Sequence, residues 1–287
     1  MNSEAGFLNL LKPPGMTSHD VVYQVRRLLP RKTKVGHLGT LDPSATGVLP
    51  VAVAGATRLI PLLPDLGPLM KAYLAEIQLG LRTDSDDLDG EVLERHSLDL
   101  LGPRTEDDWR RALAPFRGAI SQVPPQVSAI RKDGQRAYAL ARKGIAVELA
   151  ARPVEVARCD FLSYHTESGR LRFFLVCSTG TYVRSIARDL GQNLGVGAAL
   201  AFLVRTQSGP FGLEQAVTLE RLRADGVVCH LLPCGFPFAE LPYRDRALSQ
   251  KGETLRGDFH TGQRYLTPDG LLLGTEEFGV AKVEALF

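Results

Sequence analysis

Apolar positions along the chain follow two periods. From Lys71 to Leu79 they recur at every second residue, with Tyr73, Ala75, Ile77 and Leu79 on one face, which predicts a half-buried strand. Leu171, Phe173, Leu175 and Cys177 repeat the pattern and run into the turn Ser178-Thr179-Gly180-Thr181. From Tyr182 the period becomes helical, with Val183, Ile186, Ala187, Leu190 and Leu194 on one side. Tyr182 and Arg184 are therefore placed at a strand-to-helix junction, on the rim of a sheet. Near the start, Phe7 to Lys12 predicts a short strand stopped by Pro13-Pro14-Gly15. Thr17-Ser18-His19-Asp20 then caps a helix whose apolar residues Val21, Val22, Val25, Leu28 and Leu29 continue until Pro30.

Strands and helices interleave irregularly, without a run of regular β-α-β units and without a glycine-rich phosphate loop. The expected class is α+β, a mixed and largely antiparallel central sheet flanked by helices. Beyond about residue 240 short apolar stretches are broken by Gly252, Gly257, Gly262, Pro268-Asp269-Gly270, Gly274 and Gly279, which predicts a small β-rich domain. The expected division is residues 1–240 and 241–287. A chain of 287 residues is long enough for one large core. No apolar run reaches the length of a membrane span, and the N-terminus lacks the basic start and apolar stretch of a signal peptide, so the expected address is the cytoplasm. Cys159, Cys177, Cys229 and Cys234 form no C-x-x-C pair, which argues against a disulfide framework and against a zinc ribbon.

A net charge of +2 suggests no particular partner, but its distribution does. Residues 1–60 carry 7 basic and 3 acidic side chains and residues 121–210 carry 12 and 6, whereas 61–120 carry 7 and 12 and 211–287 carry 8 and 11. Two distant basic segments are compatible with a groove for a polyanion.

The densest chemical signal is Gly36-His37-Leu38-Gly39-Thr40-Leu41-Asp42-Pro43-Ser44-Ala45-Thr46-Gly47-Val48-Leu49-Pro50. Its glycines and prolines impose special backbone angles, and the residue before a proline is pushed toward extended geometry, which keeps Asp42 out of a helix. Such a carboxylate is either a turn-former bonded to its own backbone or a catalytic group. By residue type alone, His37 reads as a packed or hydrogen-bonded core histidine rather than a ligand, Tyr73 and Leu203 read as core, and Arg184 and Arg188, four apart on one helix side, could simply face solvent. Ser85-Asp86-Asp87-Leu88-Asp89-Gly90 fits a calcium loop poorly, because alignment on Gly90 puts His96 where a bidentate glutamate is required. It reads as a turn with solvated carboxylates.

The glycine-rich loop resembles the catalytic-aspartate motif of the TruB family, the bacterial tRNA pseudouridine-55 synthases. Other stretches agree in order: Leu11-Lys12-Pro13-Pro14-Gly15-Met16-Thr17-Ser18, Lys71-Ala72-Tyr73, Leu79 to Gly90, Val127-Ser128-Ala129-Ile130, Ala151-Arg152-Pro153-Val154 and Cys177 to Arg184. The resemblance runs through residues 6 to 220. It implies isomerisation of one uridine in the T-loop of tRNA, by breaking the N-glycosidic bond and rejoining the base through carbon. By the same resemblance Asp42 is the essential nucleophile or base, and Tyr73 stacks under the flipped base. Arg184 contacts the aspartate, Tyr182 and Leu203 line the uracil pocket, and His37 approaches the flipped nucleotide. No metal or organic cofactor is implied, nor any protein partner or membrane, and the expected state is a monomer. Residues 241–287 correspond by position to the family's small PUA-type domain.

Two rivals remain at this stage. A guide-RNA-dependent enzyme for ribosomal RNA has a similar aspartate loop but usually a fuller C-terminal domain and protein partners. A tRNA-folding chaperone would pry open the T-loop without needing Asp42.

Overall fold

The computed structural model describes residues 5–61, 69–127 and 149–230, together with strand segments at 131–132, 135–136, 254–256, 264–266, 271–277 and 280–286. The chain divides into two compact units, one drawn from Met1–Pro43, Gly47–Leu69 and Ser208–Phe287, the other from Ser44–Thr46 and Met70–Gln207. Along the chain come β1 (Gly6–Lys12), α1 (Ser18–Arg27), β2 (Val35–His37), β3 (Thr46–Val53), β4 (Lys71–Leu79), β5 (Leu81–Thr83) and β6 (Val92–Arg95). Then follow α2 (Glu106–Leu113), β7 (Gly118–Gln122), β8 (Arg131–Lys132), β9 (Gln135–Arg136), β10 (Arg152–His165) and β11 (Arg170–Cys177). The rest are α3 (Val183–Asn193), β12 (Ala198–Ser208), β13 (Phe211–Gly212), α4 (Leu219–Asp225), β14 (Thr254–Arg256), β15 (Arg264–Leu266), β16 (Leu271–Glu277) and β17 (Val280–Leu286). The class is α+β, as the patterning predicts.

In the first unit β1 pairs antiparallel with β3, from Gly6 opposite Val53 to Lys12 opposite Gly47, and β2 pairs with the far end of β3. Alternation sends Leu8 and Leu10 to one face and Phe7 to the other, and each face is covered. Leu8, Leu10, Leu49 and Val51 pack with Val21, Val22 and Val25 of α1 and with Leu219 and Leu222 of α4. Phe7, Val48 and Ala52 pack with Ala56, Leu59 and Phe211. Helix α1 starts at the predicted cap: the Thr17 hydroxyl accepts from Asp20 N, and the Asp20 carboxylate accepts from Thr17 N. It ends at Arg27, just short of Pro30, which disfavours helical geometry at the residue before it.

In the second unit strands run in the order β12-β4-β11-β10-β7. Strand β4 occupies the predicted Lys71–Leu79, and its partner β11 begins one residue before the predicted alternation, with Tyr73 opposite Leu175 and Lys71 opposite Cys177. Strand β10 has register shifts near Val156 and Phe161. Helix α2 opens with a second capping box, Thr105 with Asp108, and buries Trp109 against the Tyr164 ring at 4.4 Å between centroids.

Strands β14 to β17 form a four-stranded antiparallel sheet in the order β14-β17-β16-β15. Cys234, Ser128 to Ile130 and most of the turn glycines after residue 250 lie outside the described residues. Cys159 and Cys177 are free thiols. Among the described residues no helix is long and apolar enough to cross a membrane, and no group of three or more His, Cys, Asp or Glu side chains could hold a metal ion.

Candidate active site

Asp42 lies half-buried in the loop between β2 and β3, in the first unit. The chain is gripped on both sides of it. The Ser18 hydroxyl, 1% exposed, accepts from Leu41 N at 2.8 Å and lies 3.2 Å from Leu41 O as donor. One residue beyond Asp42, the Pro43 carbonyl accepts from Gly15 N at 2.8 Å and from Lys12 Nζ at 3.1 Å. Lys12 is fully buried, and its ammonium also donates to Pro13 O at 2.9 Å. The segment Lys12-Pro13-Pro14-Gly15 therefore does more than stop a strand. With the start of α1 it forms a bracket that fixes the main chain of Leu41 and Pro43. Gly39 and Gly47, at φ 112° and 111°, supply the backbone angles that let the loop leave β2 and enter β3. His37, at the end of β2 and opposite Val51, belongs to the same unit.

The other four predicted site residues lie in the second unit. Tyr182 is the N-cap of α3, at the strand-to-helix junction read from the sequence. The Gln122 side chain holds its main chain from both directions: Tyr182 N donates to Gln122 Oε1 at 2.7 Å, and Gln122 Nε2 donates to Tyr182 O at 3.0 Å. The Ser185 hydroxyl donates to Val123 O at 2.8 Å, so the first turn of α3 is tied to the end of β7.

Arg184 does not face solvent, Arg188 is only partly exposed, and the Asp86-Asp87 turn is buried. Arg184, 5% exposed, donates to Ser85 O at 3.0 Å and sits 3.5 Å from the Asp87 carboxylate. Arg188 meets the Asp86 carboxylate at 3.0 Å and donates to Val123 O at 2.9 Å. Both aspartates are 8% exposed. Residues four apart on a helix share a face, and here that face is turned onto the acidic run instead of outward. Burial pushes the Asp86 carboxyl above the usual aspartate range, against the pull of Arg188 and Arg184. The backbone of Asp86 takes a left-handed φ of 62°, and its carbonyl accepts from Leu200 N at 2.9 Å. Ser85 Oγ at 2.6 Å and Asp89 N at 3.2 Å both donate to Asp87 Oδ1. The sequence reading failed at this point because a run of aspartates looks solvent-bound until its counter-ions, about 100 residues away, are known.

Tyr73 and Leu203 are 6% and 7% exposed, on the adjacent strands β4 and β12. The second unit thus carries a buried phenol, a buried leucine on the adjacent strand, a helix start at Tyr182 and a buried guanidinium.

A family model described as TruB family pseudouridylate synthase (N terminal domain) matches residues 26–183, and one described as tRNA pseudouridylate synthase B C-terminal domain matches residues 184–229. The chain belongs to the TruB family. Among its relatives, the tRNA pseudouridine synthase B of Heliobacterium modesticaldum is 49% identical over 218 residues, 76% of this chain and 69% of that protein. That of Synechocystis sp. is 45% identical over 284 residues, covering 96% of this chain and 92% of that one. A solved Cbf5-Nop10-Gar1 complex contains a chain with TM-score 0.56 and 33% identity over 76% of this protein, which spans about half (53%) of that chain. An H/ACA RNP bound to a substrate RNA containing 2'-deoxyuridine gives TM-score 0.59 and 25% identity, covering 98% of this chain and 84% of that one. As a TruB-family member the protein is an isomerase of the pseudouridine synthase class, and Lys12, Ser18, Gln122, Asp86 and Asp87 join its predicted site residues as supports. The signal for Lys12 and Ser18 was present in the Lys12-to-Ser18 motif. For Gln122 there was none beyond a polar residue ending a strand.

Proposed function

We propose that this enzyme converts a single uridine in the T-loop of tRNA, position 55, to pseudouridine, with Asp42 as the nucleophile or base. The observation that carries the reading is the two-sided grip on Leu41 and Pro43, which holds the one carboxylate of the glycine-rich loop in a fixed place. In the reaction the bond from the ribose anomeric carbon to N1 breaks and a bond to C5 forms. The proton leaves C5 and N1 gains one, so the change is redox-neutral.

The target base has to leave the T-loop stack, at a cost of about a few kcal/mol. Tyr73 restores part of it, since stacking on an aromatic ring contributes roughly 1–3 kcal/mol per base. Tyr182 and Leu203 line the uracil pocket, and His37 meets the flipped nucleotide. Arg184 supplies a permanent positive charge to the site, and its contacts to Ser85 O and Asp87 hold the guanidinium in position. Residues 241–287 form a small PUA-like β domain. The enzyme works as a monomer in the cytoplasm, on the T-stem-loop alone, without a guide RNA. Support for a stand-alone tRNA enzyme is the near end-to-end match with the Synechocystis tRNA pseudouridine synthase B.

The test is an unmodified tRNA transcript incubated with purified protein and mapped by carbodiimide and primer extension. A single stop at the T-loop uridine is expected. With Asp42→Asn, turnover should fall by about four orders of magnitude or more while tRNA affinity stays within a few-fold, because the nucleophile is lost and little contact surface. Tight binding without modification would instead support a guided enzyme or a folding chaperone.

A further inference from the structure

Arg205 is a charged residue fully buried in the second unit, and the sequence motifs assign it no role. Placing a guanidinium in the interior is costly unless its hydrogen bonds are used, and it stays charged there. It lies on β12 two residues after Leu203, so the two side chains share the inward face of that strand. On the neighbouring strand β4 the Tyr73 side chain faces the same interior, and the guanidinium and the phenol are hydrogen-bonded, with Arg205 as the donor. Lys71 stands two residues before Tyr73 and feels the Arg205 charge: burial first and that charge second push its ammonium down to about 8.

We propose that Arg205 is a positioning residue for catalysis, which acts through Tyr73 by fixing its ring beneath the target base and by keeping its hydroxyl oxygen an acceptor. A phenol with its oxygen held by a guanidinium cannot rotate its lone pairs away, and the nearby positive charge favours electron density on that oxygen. Arg205 touches the phenol and not the base, so its loss should slow the chemical step more than it weakens RNA binding. The inference rests on the reading of Tyr73 as the stacking residue of a uridine isomerase.

The experiment is a double-mutant cycle on the full chain, with wild type, Tyr73→Phe, Arg205→Lys and the pair assayed for kcat and KM on a T-stem-loop transcript, and Asp42→Asn as control. Arg205→Lys keeps a positive charge and a similar length, and Arg205→Gln is measured beside it, with melting curves to confirm that each variant is folded. Arg205→Lys should lower kcat about tenfold or more, with KM within about twofold, and in the Tyr73→Phe background its effect on kcat should shrink to less than about twofold. Full additivity of the two changes, an unchanged kcat for Arg205→Lys, or a Tyr73→Phe effect smaller than that of Arg205→Lys would each overturn the proposal. A wild-type protein that leaves the T-loop uridine unmodified, or an active Asp42→Asn, overturns the underlying reading and is distinct from any of these results. If Arg205→Lys proves unfolded, Arg205→Gln carries the cycle.

Discussion

Around Asp42 the chain is held through its backbone, whereas around Arg184 it is held through charged side chains. The loop of the first unit is fixed by donors and acceptors on the main chain of Leu41 and Pro43, supplied by Ser18, Gly15 and Lys12. The start of α3 in the second unit is fixed by Arg184 and Arg188 gripping Ser85, Asp86 and Asp87, with Gln122 bracketing Tyr182. Main-chain hydrogen bonds set where a residue sits without fixing the charge or orientation of its side chain. Buried ion pairs set orientation and charge together, and they lose far more when one partner is removed than the pair contributes as a whole. The two regions should therefore fail differently, one mainly in rate and the other mainly in stability.

The sharpest way to break this comparison is Lys12→Met. It removes the ammonium from Pro43 O and Pro13 O at nearly constant volume, and a displacement of the loop by about 1 Å should lower kcat roughly 100-fold. Steady-state kinetics on a T-stem-loop would check it, with KM little changed; a large fall in melting temperature with normal kcat would place Lys12 among the purely structural residues. Next comes Asp87→Asn, which leaves Arg184 inside the protein without that counter-charge. Stability should drop by about 3 kcal/mol in urea unfolding, with a smaller fall in kcat than Lys12→Met gives. If the ranking of the two variants reversed, the division between a rate-setting loop and a stability-setting helix start would be wrong.

The smallest effect concerns alkaline pH, and it belongs to the second unit alone. Burial raises the Cys159 thiol to about 12 and the Cys177 thiol to about 11, while Lys71 is lowered to about 8. An unfolded thiol ionises near pH ~8.5, so above that pH the unfolded chain has released two protons that the folded protein retains, and stability falls as pH rises. Lys71 acts oppositely: from pH 8 to ~10.4 the unfolded chain holds a proton that the folded one has lost, and stability rises. Two thiols outweigh one lysine, and the urea midpoint should decline from pH 9 to 10. Replacing both cysteines by alanine should turn that decline into a rise.

Much of this was legible in one dimension. Alternation marked Lys71–Leu79 and the strand ending at Cys177, and the change of period at Tyr182 marked α3, because side-chain direction follows the period of the backbone. The capping residues of α1 were readable for the same local reason, and the glycines around Asp42 announced an unusual loop. Strands β3, β10 and β12 were not identified, since β3 is buried on both faces and reads as a continuous apolar run, while β10 is interrupted by register shifts.

What the sequence alone determined is the elements with a clean local period, such as β4, β11, α1 and α3, and the family, both carried by neighbouring residues or by ordered motifs. Which charges are buried, and against what, was decided only by the tertiary structure. Arg184 finds Ser85 and Asp87 across nearly 100 positions, and Tyr182 finds Gln122 across 60. Periodicity reports the face on which a side chain lies, but the cost of burying a charge depends on the partner the fold brings to it, and no local pattern encodes that partner.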